Sequence, residues 1–311
     1  MKNKTKISDL NVAEKLSDEE LSKMLGRYQR TETIGSFAAA IGAFASVVVL
    51  FATRQVIVTA VLMVSSIICG IFIGGGAKKK KRELAWRQLG DFFSAEFQKK
   101  FGAEMHSKEM AIDEQYIKMS RIVDRKWERS EIGGFHEGEY KSYSFSAANV
   151  ELIHEFEEKA GPRDDDWMGR TVKMFGGIIV KCQTDFDPLA EIAVNERVEK
   201  HKSGDISDVR NFDARFNIRA ENKADAARYI TSDFREMIKT LETLTAGQLD
   251  GIIISGNTLT FAINTRYAFA DVPNYVDYKD VDSIRKWYVS SLHGMERILD
   301  VVMGNTALFK K

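Results

Sequence analysis

The sequence predicts an α+β domain carried behind a two-helix transmembrane hairpin, on three observations. Two charge-free apolar runs, 34–52 and 56–73, stand back to back across Thr53-Arg54-Gln55. A cationic collar, Lys78-Lys79-Lys80-Lys81-Arg82, follows the second run. Past Tyr140 the apolar pattern turns to period two and past Lys223 to period 3.6. Strands in runs, then helix, hairpin and helix, point to a mainly antiparallel sheet with packed helices.

Residues 1–33 form a polar tail. Ser17-Asp18-Glu19-Glu20 has capping-box spacing, and Leu21, Met24, Leu25 and Tyr28 recur at helical steps, so a short amphipathic helix is expected over about 17–30. A secretory signal does not fit, because the apolar run starts late, is long and is followed by another.

The 19 residues of 34–52, at a rise of about 1.5 Å each, match a hydrocarbon core of roughly 30 Å. A soluble core helix rarely runs so far without a polar face. The short connector makes the two spans antiparallel neighbours. Small residues recur every fourth position: Gly35, Ala39 and Ala43; Ala38, Gly42 and Ser46; Ser66, Gly70 and Gly74. Arg27 and Arg30 precede the hairpin and the collar follows it, with only Arg54 between the spans. Cations accumulate on the cytoplasmic side, so both termini are expected there and the connector outside. Lys78, Lys79, Lys80, Lys81 and Arg82 are candidate membrane-surface contacts.

Gly74-Gly75-Gly76 offers a place for the second span to end or bend. Residues 78–104 then read as collar plus juxtamembrane helix, with Trp86, Leu89, Phe93, Phe97 and Phe101 as an aromatic stripe. From 105 to 311 a cytosolic α+β domain is expected. It should contain a helix over 108–123, strands from Tyr140 through 184 and near 190–198, and a short extended piece at Phe212–Ile218. Then follow a helix over 223–245, a hairpin around Gly256-Asn257 and a last helix over 280–303.

Composition narrows function. Lysine plus arginine and aspartate plus glutamate number 45 each, so no global field favours nucleic acid. The two cysteines, Cys69 in a span and Cys182 far along the chain, do not form a disulfide framework, which fits a reducing compartment. No histidine pair has metal-ligand spacing, and no glycine stretch matches a phosphate loop or dinucleotide fingerprint. No catalytic, cofactor or metal residue is assigned. His136-Glu137-Gly138-Glu139 reads as an exposed glycine-rich turn, Asp164-Asp165-Asp166 as a solvated loop, and Cys182 as a small core residue sharing strand parity with Ile178 and Val180. Arg228 is the candidate for a partner contact or a structural ion pair.

Two spans are followed by Gly138-Glu139-Tyr140, Ala148-Asn149-Val150-Glu151-Leu152, Phe175-Gly176-Gly177-Ile178-Ile179, and Phe212-Asp213-Ala214-Arg215-Phe216 leading to Ala227-Arg228-Tyr229-Ile230-Thr231 and Phe234. This series resembles the bacterial domain-of-unknown-function (DUF) 3137 family, over nearly all of the chain from about residue 30. The resemblance implies an integral protein of the bacterial inner membrane with a cytosolic domain. It also implies a LemA-type membrane protein as a neighbour, and no catalytic residues. Three functions are therefore in play: a protein-interaction or self-assembly module at the inner membrane face, an anionic-lipid or membrane-surface sensor built from the collar and the aromatic helix, and a membrane-associated, metal-dependent enzyme using Asp164–Asp166 with His136 or His154.

Overall fold

The structure, a computed structural model, describes residues 15–102, 108–159, 167–185, 191–197, 209–220, 223–266 and 269–309. The chain forms two compact units, Met1–Ala95 with Val272–Tyr288, and Glu96–Asp271 with Val289–Lys311.

The first unit is built on two long helices, α1 (Asp18–Thr53) and α2 (Val56–Phe101), of which α2 belongs to it as far as Ala95. The expected tail helix and first span are one helix of 36 residues, and the second span, collar and aromatic stripe are one of 46. The three glycines neither end nor break α2. Neither helix contains a proline, and glycine lowers helix propensity by about 1 kcal/mol without removing a hydrogen bond. The capping box forms as the spacing predicts, with Ser17 and Glu20 exchanging bonds. Arg54 closes α1 in the left-handed region at φ 54°, its N–H donating to the Leu50 carbonyl at 2.8 Å.

The hairpin closes on small residues. A Cβ on Gly35 would lie 2.6 Å from the Gly74 nitrogen, and one on Gly70 would overlap Ala39. Gly42 faces Ser66 in the same way. Of the small-residue rows in α1, the seam therefore draws on Gly35 and Ala39 from one and Gly42 from the other. On the opposite side the apolar residues are bare, Phe44 at 72% and Phe51 at 81% exposure. Both helices are long and apolar enough to cross a membrane, and their apolar stretches are only 11% buried. Outside 34–73, the exposed large apolar side chains among the described residues are Trp86, Met119, Val209 and Tyr275.

Segment 272–288, which opens α7 (Val281–Met303), completes this unit. Arg285 forks onto Asp18 at 2.7 and 2.8 Å, Ser22 donates to the Lys279 carbonyl, and Tyr288 packs edge-on to Phe93 at 5.3 Å.

The second unit is a seven-stranded antiparallel sheet in the order β1-β2-β3-β7-β6-β4-β5. Its strands are β1 (Arg129–Tyr140), β2 (Tyr143–Lys159), β3 (Trp167–Gln183), β4 (Ile192–Glu196), β5 (Phe216–Ala220), β6 (Gln248–Ser255) and β7 (Thr258–Asn264). Helices α3 (Glu114–Ser120), α4 (Val209–Arg215), α5 (Lys223–Tyr229) and α6 (Ser232–Thr245), with the rest of α7, complete it. One sheet face, carrying Val150, Leu152, Phe175, Ile179 and Ile253, packs under Ile112, Ile117, Ile122 and Val123. On the opposite parity of β2, Phe145 meets Phe101 at 5.1 Å.

Several local expectations change. The glycine-rich stretch 133–138 is strand, not turn: β1 runs through it with a bulge, and His136 and Glu137 are buried. The β1–β2 turn sits instead on Lys141 and Ser142, at φ 51° and 68°. Two left-handed residues make the primed turn a hairpin requires, here without glycine. Phe212 lies in α4 rather than in a strand. The expected helix over 223–245 is two helices, because Thr231 caps α6 by accepting from the Phe234 N–H. The helix over 108–123 shrinks to α3 and a 3₁₀ turn at Lys108–Met110.

Candidate functional site

The second unit carries a cleft of about 300 Å³, lined by Ile117, Lys118, Arg121, Val123, Asp124, Arg125, Lys126 and Trp127. It forms where α3 ends and the chain crosses the sheet toward β1. Arg121 ends α3 in the left-handed region at φ 52°, which turns the chain sharply. Asn195 of β4 then pins the crossing, its Nδ2 donating to the carbonyls of Arg121 at 3.0 Å and Ile122 at 3.2 Å. Its Oδ1 accepts from Arg219 at 2.9 Å. Gly251 of β6 admits the crossing: a Cβ there would overlap the Ile122 carbonyl. Any larger residue at 251 would lift the cleft floor off the sheet.

Four cations line the cleft. Lys118 reaches Glu114 at 2.6 Å and lies 4.9 Å from the Trp127 ring centre. Lys126 is 3.7 Å from Glu128, and the lining Asp124 is 3.7 Å from Arg219. Arg121 makes no ion pair among the described residues. Solvent-exposed pairs of this kind are worth roughly 0–1 kcal/mol, so they hold the rim charges only weakly. Arg125 is different. Its guanidinium donates to the Met174 carbonyl at 2.9 Å, to Glu196 at 3.2 Å and to Asp250 at 2.5 Å.

Behind Arg125 the charges alternate. Glu196 also accepts from Arg215 at 3.1 Å, and Arg215 forks onto Glu242 at 2.9 and 2.5 Å. Glu242 accepts as well from the Leu249 N–H at 2.7 Å. Asp250, Glu196 and Glu242 thus share two guanidinium groups, Arg125 and Arg215, leaving one carboxylate in excess. Asp250 is 3% exposed. Burial pushes its carboxyl up to about 6, with Glu196 acting in the same direction and Arg125 opposing.

The collar and Arg228 make contacts of their own. Lys79 and Lys80 are exposed and Lys78 is half-buried. Lys81 is turned inward instead: it is 1% exposed, bonds Glu32 at 2.5 Å and lies 4.2 Å from the Tyr278 ring centre. Arg228 is exposed over the Tyr229 ring at 5.4 Å and makes no ion pair among the described residues. His136 stacks on Phe97 at 5.2 Å, and His154 bonds Glu128 at 2.7 Å. Asp164-Asp165-Asp166 lie outside the described residues. Cys182 is buried and its thiol is pushed far up by burial, while Cys69 is exposed; both are free. Among the described residues no group of three or more histidine, cysteine, aspartate or glutamate side chains is placed to hold a metal ion.

Sequence reasoning passed over Arg125, Glu196, Asp250 and Glu242, since their partners lie up to 125 positions away, as Arg125 does from Asp250. One local signal existed: Asp250 stands alone against Leu249 and the run Ile252-Ile253-Ile254. No family model, curated protein or solved structure matches the chain.

Proposed function

We propose that the protein is an integral membrane protein whose second unit is a docking module, taking an acidic segment of a protein partner at the cytoplasmic face of the bacterial inner membrane. The observation that carries the docking role is the cleft, with Lys118, Arg121, Arg125 and Lys126 set around the Trp127 indole. Arginine and tryptophan are the residue types that most often anchor protein interfaces. The cations draw in carboxylates from a distance. Membrane placement is supported by the bare apolar belt over 34–73 and by the resemblance to the DUF 3137 family, which also makes a LemA-type membrane protein or a second copy of this chain the first partners to try. The hairpin crosses with both termini inside, because the cations gather at its ends and Arg54 alone sits in the connector.

A photo-crosslinking residue in place of Lys126, in cells, tests the docking role. It is expected to trap an acid-rich peptide of one protein, and Arg121→Glu is expected to weaken that trapping about tenfold, the loss of roughly 1.4 kcal/mol. A crosslink indifferent to this charge reversal contradicts the role. A second reading, contact with anionic lipid, is favoured by the outward-facing Lys79 and Lys80, and Lys81 takes no part in it because Glu32 holds it.

A further inference from the structure

We propose that the cleft is proton-linked, with Asp250 acting as the group whose protonation releases Arg125 to an acidic ligand. The inference rests on the docking reading above and adds its regulation. It stands on the arrangement of charges. Arg125 lines the cleft and is also held from behind by Asp250 and Glu196. While both carboxylates are ionised, the guanidinium is neutralised from within the protein. A carboxylate arriving in the cleft then meets a cation that is already matched.

The cluster behind Arg125 carries one carboxylate too many for its guanidinium groups, and Asp250 is the member to give up its charge. It is the most buried of the three carboxylates, and Arg125 is its one ion-pair partner among the described residues, whereas Glu196 is shared by two arginines and Glu242 accepts two bonds from Arg215 and one from the Leu249 N–H. The groups facing Asp250 are Arg125 from the crossing segment, Glu196 from the end of β4, Arg215 from the end of α4 and the neutral Asn264 from β7. Burial and Glu196 favour the neutral acid, and Arg125, Asn264 and Arg215 favour the carboxylate. The balance brings its titration to about pH 6. When Asp250 takes up a proton, one negative charge leaves Arg125, and the cleft gains one effective positive charge. By linkage, an acidic ligand bound at Arg125 raises the affinity of Asp250 for its proton to the same degree.

A second titratable group touches the rim. His154 bonds Glu128, which lies beside Lys126. Protonation of His154 would also change charge at the cleft, so the test must separate the two.

The test uses the full-length protein in detergent micelles and hexa-aspartate as the probe, with binding followed by calorimetry at pH 5.5 and 7.5. Hexa-asparagine serves as the uncharged control. The wild type is expected to bind hexa-aspartate about fivefold or more tightly at pH 5.5 than at 7.5. Asp250→Asn, which fixes the neutral form, is expected to bind at pH 7.5 as tightly as the wild type does at 5.5, with most of the pH dependence gone. His154→Gln is expected to keep it. Proton uptake on binding to the wild type at pH 6.5, read from buffers of different ionisation heat, gives the answer even if the Asp250 variant does not fold. Tight binding that Arg121→Glu weakens, but that is equal at both pH values and takes up no proton, overturns the proton link and leaves docking standing. A pH dependence that survives in Asp250→Asn and vanishes in His154→Gln also overturns it. Absence of hexa-aspartate binding at either pH overturns the docking reading together with the link.

Discussion

Single residues decide how charge is buried in this protein, and two positions show it. Lys81 is withdrawn from the collar, with the carboxylate of Glu32 and the face of Tyr278 in place of water around it. Removing one partner from such a pair costs about 3–5 kcal/mol, since the other is left uncompensated. Asp250 has a cation at hand and still sits where the neutral form is more favoured than it is in water. Its carboxyl is held above the ordinary 3.8, up to about 6, so the folded state binds this proton more tightly than the unfolded chain does. The sign follows. This group costs no stability below the unfolded value and its cost grows as pH rises through that window, reaching on the order of 3 kcal/mol above pH 6. The difference in unfolding free energy between Asp250→Asn and wild type should therefore shift in favour of the variant between pH 4 and pH 6. Denaturant titrations across that range check it, and a difference flat in pH would show that Asp250 titrates normally.

At the scale of elements, small residues and caps govern what the chain does. The hairpin holds its helices close because Gly35, Gly70 and Gly74 present bare backbone to each other. Gly70→Leu is expected to force the helices apart at a cost of about 1–3 kcal/mol, lowering the thermal midpoint of the full-length protein in detergent. Gly75→Leu, where a Cβ meets nothing within 4 Å, is expected not to lower it and, by removing a mid-helix glycine, to raise it slightly. Equal effects of the two substitutions would mean that the seam does not hold the hairpin. Elements with a periodic apolar face were readable from the sequence: α7 and the β6–β7 hairpin fall where the pattern puts them, and the helical stretches expected over 17–52, 56–104 and 223–245 are mainly helical among the described residues, although their breaks lie elsewhere. Elements whose definition rests on one backbone angle or one cap were not. Nothing in Lys141-Ser142 announces a primed turn, and Thr231 looks like any helical threonine until Phe234 bonds to it. Strand β1 was hidden because its glycines resemble a turn, although its residues pair with β2 along most of their length. The cleft was hidden for a further reason. Its cations come from one short segment, but the groups that fix their geometry, Asn195, Glu196, Asp250 and Gly251, come from strands that only the folded sheet brings there.

For the whole molecule, sequence and structure divide the labour between an apolar hairpin and a sheet-based unit. Among the described residues, exposed large apolar side chains are concentrated in 34–73, Phe44, Phe51, Ile57 and Phe72 among them, and both helices are long and apolar enough to cross a membrane. In the proposed placement lipid covers these faces, and a hydrocarbon thickness of roughly 30 Å matches the charge-free stretch of each helix. In the proposed orientation, the cations at both ends of the hairpin keep those ends, and the sheet unit with them, on the cytoplasmic side. The most direct test is labelling of single cysteines with a membrane-impermeant thiol reagent in intact cells, using a Cys69→Ser background that keeps the buried Cys182. Gln55→Cys in the connector is expected to label from outside, while Lys79→Cys in the collar labels only after the cells are opened. Labelling of Lys79→Cys in intact cells, or protection of Gln55→Cys until lysis, would contradict the proposed placement of the hairpin and with it docking at the cytoplasmic face.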